Sequence, residues 1–291
     1  MFNNDINLRE SYYHAVLLAQ GHIEIGTNKA NNELRELLLR NGSFHAIVLE
    51  KKGLLAGDDE LRKTDGVEKI IRSHEKIKFP FRTLTVNDSD FPESLRKTEG
   101  ATPVIYVRGD TSLFQHPSIA VVGTRYDLTQ QDRLDADSVL ERLVAKPYVI
   151  VSGLALGSDT LAHQYAIEHE GRTIAVIGTP LDKSYPKKNK DLQNDIASMH
   201  LLISQYPIGF EHTPIGQGMQ QRGTPFVYRN KTVVALSSDG VVVIKAGDKS
   251  GTRHAIRHCL EQGKQLYVLR GNLNQGYEWT KKFKGRYKVL N

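Results

Sequence analysis

In the stretch YVIVSGLALGSDTLAHQYA, residues 148–166, the side chains able to do chemistry are Ser152, Ser158, Asp159 and His163. Asp159 and His163 are four apart, so on a helix they share a face. There a carboxylate and an imidazole can exchange a proton, although a plain helix-face hydrogen bond is the preferred reading. Ser152, Gly153, Gly157 and Ser158 are small, which lets the backbone turn tightly and approach a ligand without Cβ interference. The apolar run 149–151 before them reads as a buried parallel strand. Ser158 or Asp159 can cap the helix that follows. A helix start after a strand offers unpaired N–H groups and a partial positive charge, so the turn is a cradle for phosphate. The competing reading is equally simple, because many strand-to-helix turns bind nothing.

The other familiar catalytic signatures are absent. No G-x-G-x-x-G follows the first strand, no G-x-x-x-x-G-K-[ST] occurs anywhere, and G-x-S-x-G is missing. The single cysteine, Cys259, excludes an internal disulfide and any Cys-rich zinc or iron–sulfur site, and between Ile256 and Leu260 it reads as packing. No complete catalytic set, metal-ligand cluster or cofactor motif emerges, so none is expected.

The elements that must position the central turn follow from apolar periodicity. From Thr83 onward, strands are predicted at 104–107, 119–122, 149–151, 173–177, 201–204, 241–244 and 265–269. Helices are predicted at 127–145, 159–170, 188–198, 226–237 and 250–262. Such alternation makes an α/β fold, a Rossmann-like, mainly parallel doubly wound sheet. Ligands in such sheets bind beyond the carboxyl ends of the strands, which directs attention to Gly123-Thr124-Arg125, Ser152-Gly153, 178–180, 204–209 and 246–252.

Residues 1–80 read as a small helical module. Tyr12, Tyr13, Val16 and Leu17, then Leu34, Leu37 and Leu38, recur at helical spacing, with Asn41-Gly42 as a stop. A third amphipathic piece spans 61–77 and ends at Phe79-Pro80-Phe81, where the boundary is placed. At the other end, 273–291 is a separate basic, aromatic tail: Lys281, Lys282, Lys284 and Arg286 interleave with Trp279, Phe283 and Tyr287. That pattern suits a strand of nucleic acid, and equally a last strand or helix packing its rings on the core.

Composition narrows the setting. With 291 residues, 39% hydrophobic and 25% charged, the chain can bury a sizeable core. No apolar run approaches the roughly 20 residues of a membrane helix. The polar N-terminus lacks a signal peptide's regions, so a cytoplasmic protein without a membrane partner is expected. The formal charge of +6 tilts the choice of partner toward nucleic acid.

Several motifs in order resemble one family. IAVVGTR (119–125), VSGLALGSDTLAH (151–163), GRTIAVIGTPLDKSYPKKNKDL (171–192), SQYPIG (204–209), FVYRNKTVVALS (226–237) and DKSGTRHAI (248–256) resemble the DNA-processing protein A family (DprA, also called Smf). FPESL (91–95) and PVIYVRGD (103–110) extend the likeness, which assigns residues 81–272 to a DprA-like Rossmann domain.

The resemblance implies a homodimeric protein with an extended Rossmann fold that binds single-stranded DNA without hydrolysing it. It would protect incoming strands during natural transformation and help load a RecA-type recombinase. Carried over by motif, Arg125 meets a DNA phosphate, Gly123 and Thr124 supply donors, and Phe226, Arg229 and Asn230 match F-P-x-R-N-R, with the ring bordering the DNA. Lys231 holds the last basic position of that segment, and Arg222 adjoins Gly223, where another basic residue is usual. Ser152, Gly153, Ser250, Gly251 and Thr252 complete the expected DNA-binding set.

The chain also departs from the family pattern. Leu156 and Ser158 stand where S-G-L-A-R-G-I-D has arginine and isoleucine, and Gln205 and Lys245 replace two acidic residues. The alternative reading is a nucleotide sensor or hydrolase of the LOG-like Rossmann class, whose G-G-x-G-T-x-x-E loop falls on 248–255. There Gly251 and Thr252 fit, but Ala255 stands where the glutamate belongs, which disfavours hydrolysis.

Overall fold

The computed structural model of the chain describes residues 2, 4–51, 66–210 and 224–291. They form two compact units, one from Met1–Arg108, Gly178–Lys183 and Ile203–Tyr228, the other from Gly109–Ile177, Ser184–Leu202 and Arg229–Asn291.

In the first unit, helix α1 (Ile6–Ala19) starts at Asp5, whose carboxylate accepts the Asn7 and Leu8 amides. Helix α2 (Asn28–Asn41) is capped by Thr27 and stops at Gly42, which takes the positive φ of 84° that glycine tolerates. Ser43 caps α3 (Phe44–Glu50), and α4 (Val67–Glu75) lies within the third predicted helix, whose residues 61–65 fall outside the described residues. The helices enclose a buried polar network. His14 Nδ1 lies 2.6 Å from the Tyr106 hydroxyl, and His74 Nε2 lies 3.0 Å from the Ser11 hydroxyl. Strand β1 (Arg82–Thr85), helix α5 (Glu93–Lys97) and strand β2 (Val104–Gly109) follow, the strands pairing antiparallel. The sequence did not announce β1: Arg-Thr-Leu-Thr has no apolar run, and its conformation comes from pairing with the buried Val104–Val107 stretch.

The second unit is built on the parallel sheet. Its elements begin with β3 (Ser118–Val122), α6 (Gln130–Val144), β4 (Val149–Ser152), α7 (Ser158–Glu168), β5 (Arg172–Ile177) and α8 (Lys190–Met199). After the wholly buried β6 (Leu201–Ser204) and α9 (Thr224–Leu236), each divided between the two units, come β7 (Val241–Val243), α10 (Thr252–Glu261) and β8 (Leu266–Leu269). Two short helices, α11 (Gly271–Asn274) and α12 (Glu278–Lys282), precede β9 (Tyr287–Leu290). Neighbouring strands run β5-β4-β3-β7-β8-β9, every pair parallel, with Ala120 opposite both Val151 and Val241.

Every residue of β3, β4 and β7 is buried, which requires cover on both faces, since consecutive side chains point to opposite sides. On one face Ile119, Val121, Ile150 and Val242 pack with Ala136, Val139 and Leu140 of α6 and Ala162 and Ala166 of α7. This is the α/β doubly wound architecture expected from the alternation of elements.

The tail packs rather than floats. Trp279 is fully buried, its indole N–H donating to the Ala246 carbonyl, and Tyr287–Leu290 adds a parallel strand beside β8. Lys281, Lys282, Lys284 and Arg286 stay at the surface between those anchors. No helix among the described residues is long and apolar enough to cross a membrane.

Candidate nucleic-acid interface

At the carboxyl ends of β3, β4 and β7 the second unit opens into a crevice of about 390 Å³. Gly123, Thr124 and Arg125 enter it from the loop after β3, Gly153 from the turn after β4, and Lys245, Lys249, Ser250 and Gly251 from the loop after β7. Two interactions hold these loops together. The Thr252 hydroxyl donates to the Gly123 carbonyl at 2.8 Å, and the Thr124 amide donates to the Lys245 carbonyl, also at 2.8 Å.

The central turn departs from the expected phosphate cradle. Gly157, at φ 75°, is the N-cap of α7, and no side chain caps that helix. The Ser158 amide donates to the Thr124 carbonyl at 3.0 Å, and the Asp159 carboxylate reaches back to the Ala155 amide at 3.2 Å. The turn therefore directs these donors to the chain's own groups. Burial pushes the Asp159 carboxyl above the ordinary aspartate value, against the opposing pull of Arg229, the Ala155 amide and Arg125. The Asp159–His163 hydrogen bond suggested by their spacing is replaced by other partners, since His163 Nδ1 lies 2.6 Å from the Thr173 hydroxyl.

The expected site residues divide into three groups. Gly123, Thr124, Arg125, Gly153, Asn230, Ser250, Gly251 and Thr252 line the crevice, as does Arg229. Arg229 is 2% exposed, and its guanidinium lies over Gly153 and donates to the Val176 carbonyl at 2.8 Å. It forms the crevice floor. A second group supports from behind: Ser152 is fully buried and donates to the Val121 carbonyl at 2.6 Å, and Lys231 is buried on α9. Phe226 belongs to the first unit, where its ring packs against Gly178 so closely that a Cβ there would collide with it. Arg222 lies outside the described residues.

The structure adds residues that sequence reasoning did not select. Lys245 Nζ pairs with Asp132 Oδ2 at 2.7 Å and also donates to the Asp127 carbonyl. Lys249, Tyr126 and Tyr277 also line the crevice. Lys249 lies within the 246–252 loop that the topology rule marks and Tyr126 adjoins the marked 123–125 turn, whereas Tyr277 carries no signal beyond its place in an aromatic tail. Lysines and arginines in the lining number four, Arg125, Arg229, Lys245 and Lys249, against two aspartates, Asp127 and Asp159. Among the described residues no group of three or more His, Cys, Asp or Glu could hold a metal ion.

A doubly wound parallel sheet with a crevice beyond its strand ends, lined by four cations and two aspartates, defines a Rossmann-type protein. Residues 82–284 match the family described as DNA recombination-mediator protein A, and the chain belongs to that family. It is 35% identical over 204 residues to the DNA processing protein DprA of Streptococcus pneumoniae, covering 70% of this chain and 67% of that protein. The X-ray structure of S. pneumoniae DprA superimposes with a TM-score of 0.65 at 31% identity, covering 84% of this chain and 78% of that one. A structure describing the single-stranded DNA binding mode of Helicobacter pylori DprA gives a TM-score of 0.61 at 30% identity, covering 73% and 91%. The first curated relatives are spanned only partly, over 67%, 45% and 62% of their own lengths.

Proposed function

We propose that this chain binds single-stranded DNA through the crevice beyond β3, β4 and β7, and handles strands for recombination rather than cleaving them. The observation that carries this is the convergence of Arg125, Arg229 and Lys249 on the crevice lined by Gly123, Gly153 and Gly251. At Gly251 open space stands where a side chain would project, so a phosphate oxygen can reach the backbone there, and the cations supply attraction independent of base sequence. The position where a LOG-type enzyme needs glutamate is Ala255, buried in the same lining, so the carboxylate that would act on a glycosidic bond is missing from it. Binding to a single strand is also what the H. pylori relative's structure describes. Protection of incoming strands, loading of a RecA-type recombinase, homodimer formation and a cytoplasmic setting belong to the same proposal, and rest on family membership.

The test is fluorescence anisotropy of labelled single-stranded and duplex oligonucleotides at several salt concentrations. Log affinity for the single strand should fall with log salt at about 0.7 per phosphate contact. Arg125→Ala should weaken binding more than Arg257→Ala, which removes an exposed charge from α10 outside the crevice lining. A flat salt dependence, or equal affinities for both variants and the parent chain, would rule out this crevice as the DNA site.

A further inference from the structure

Besides its cations, the crevice is lined by two tyrosine rings, Tyr126 and Tyr277. Tyr126 is 65% exposed, and Tyr277 is half-buried. We propose that these two rings form a nucleobase subsite, on which the base of the nucleotide gripped at the Arg125 turn stacks. The proposal rests on the strand-binding reading above, and it adds to a phosphate grip a component that senses the base.

Each ring is presented by its own backbone device. The Thr124 hydroxyl donates to the Tyr126 carbonyl at 2.7 Å and accepts the Tyr126 amide at 3.4 Å, closing a tight turn that holds the tyrosine just past Arg125. Tyr277 is fixed from the other side of the sequence. It immediately precedes α12, and the next two amides, Glu278 and Trp279, each donate to the Asp248 carboxylate at 3.1 Å. Trp279 is buried with its indole bonded to the Ala246 carbonyl, so the chain cannot swing away without losing that packing. Asn272 secures the strand ends beneath, accepting the Ala246 amide at 2.9 Å and donating to the Ile244 carbonyl at 2.8 Å.

The result is a ring set against backbone that carries no side chain. A Cβ added to Gly247 would stand 4.0 Å from Tyr277 Cε1, an ordinary van der Waals distance. Any larger side chain would compete for the space beside the ring. Tyrosine offers a flat face at small entropic cost, and every base has a π-face to meet it, so stacking adds affinity without demanding a sequence. A crevice of about 390 Å³ is in the range that encloses one small ligand, which fits a single nucleotide unit with its neighbours outside.

The experiment compares a labelled oligothymidylate with an abasic sugar-phosphate strand of the same length, at one salt concentration, by anisotropy. The proteins are the parent chain, Tyr126→Ala, Tyr277→Ala, Tyr277→Leu, Tyr277→Phe and Arg125→Ala, each with a thermal melt. The parent chain should prefer the base-bearing strand by roughly tenfold, the size of one stacked base. Tyr126→Ala, Tyr277→Ala and Tyr277→Leu should bring that ratio toward one, while Tyr277→Phe keeps it. Tyr277→Leu fills the space without a ring face, so it decides the matter if Tyr277→Ala melts early. Arg125→Ala should lower affinity for both strands together. A parent ratio near one, or an unchanged ratio in Tyr126→Ala and Tyr277→Leu, overturns the base subsite while leaving strand binding intact. Failure of the parent chain to bind either strand overturns both.

Discussion

The ammonium of Lys245 lies 2.7 Å from the Asp132 carboxylate, joining the end of β7 to the first turn of α6. Asp132 is already the third residue of a capping box in which Thr129 and Asp132 exchange side-chain and backbone hydrogen bonds. Burial pushes the Asp132 carboxyl up, but the bonds from Lys245 and Thr129 together hold it below the usual aspartate value. Lys245→Ala is expected to cost about 1–3 kcal/mol, less than a fully buried pair because both partners keep some solvent. Single-strand affinity should fall with it. Because the folded-state pKa is depressed, this contribution is present above the unfolded aspartate value and disappears as pH falls through the folded one. Urea unfolding at pH 7 and at acid pH measures it: the difference between Lys245→Ala and the parent chain should narrow as the pH falls below the ordinary aspartate value.

Gly157 and Gly251 both border the crevice turns and should respond to alanine in opposite ways. Gly157 has φ 75°, and a Cβ there would run into the Thr124 and Arg125 carbonyls. Gly251 has a right-handed helical conformation, φ −61° and ψ −19°, with open space where a methyl group would project. Gly157→Ala should destabilise the protein by about 2 kcal/mol or more and distort the Arg125 turn. Gly251→Ala should be within about 0.5 kcal/mol of the parent chain. Thermal melts of the two variants provide the check.

Three buried histidines make the protein sensitive to mild acid. Burial lowers the pKa of His14 to about 3, that of His163 to about 3 and that of His74 to about 4. Between about pH 6.5 and those values the unfolded chain binds protons that the folded one refuses, so stability must fall as pH falls. Each histidine contributes a slope of up to about 1.4 kcal/mol per pH unit. Glu10 and Asp159, whose values burial raises, act in the opposite sense and flatten the curve at its acid end. Urea unfolding at pH 7.5, 6 and 5 should show a loss of more than about 1 kcal/mol across the series, and a level profile would contradict the neutral, buried state of these rings.

The sheet is legible in the sequence because its strands are apolar runs bounded by turn residues: the run 201–204 coincides with β6, and 119–122 and 149–151 match β3 and β4 within one residue. The loops after β3, β4 and β7 are legible for a topological reason, since strand ends determine where a crevice opens. What the sequence hides are partnerships across long separations. Nothing local says that Lys245 will meet Asp132, that Asp248 will hold residues 278–279, or that Arg229 will lie over Gly153. The basic tail leaves two readings open because its rings and lysines alternate alike in both. Burial of Trp279 and the pairing of β9 with β8 show that part of the tail packs, while its lysines remain at the surface.

The chain has one tryptophan, and it is the residue that pins the crevice wall to Ala246. All indole emission therefore comes from a single, dry, hydrogen-bonded site two residues from Tyr277. The protein carries an intrinsic optical reporter at this wall: a blue-shifted maximum while Asp248 holds α12, and a red shift once water reaches the ring. Local opening of the wall can thus be followed without a label, separately from global unfolding recorded by far-ultraviolet circular dichroism.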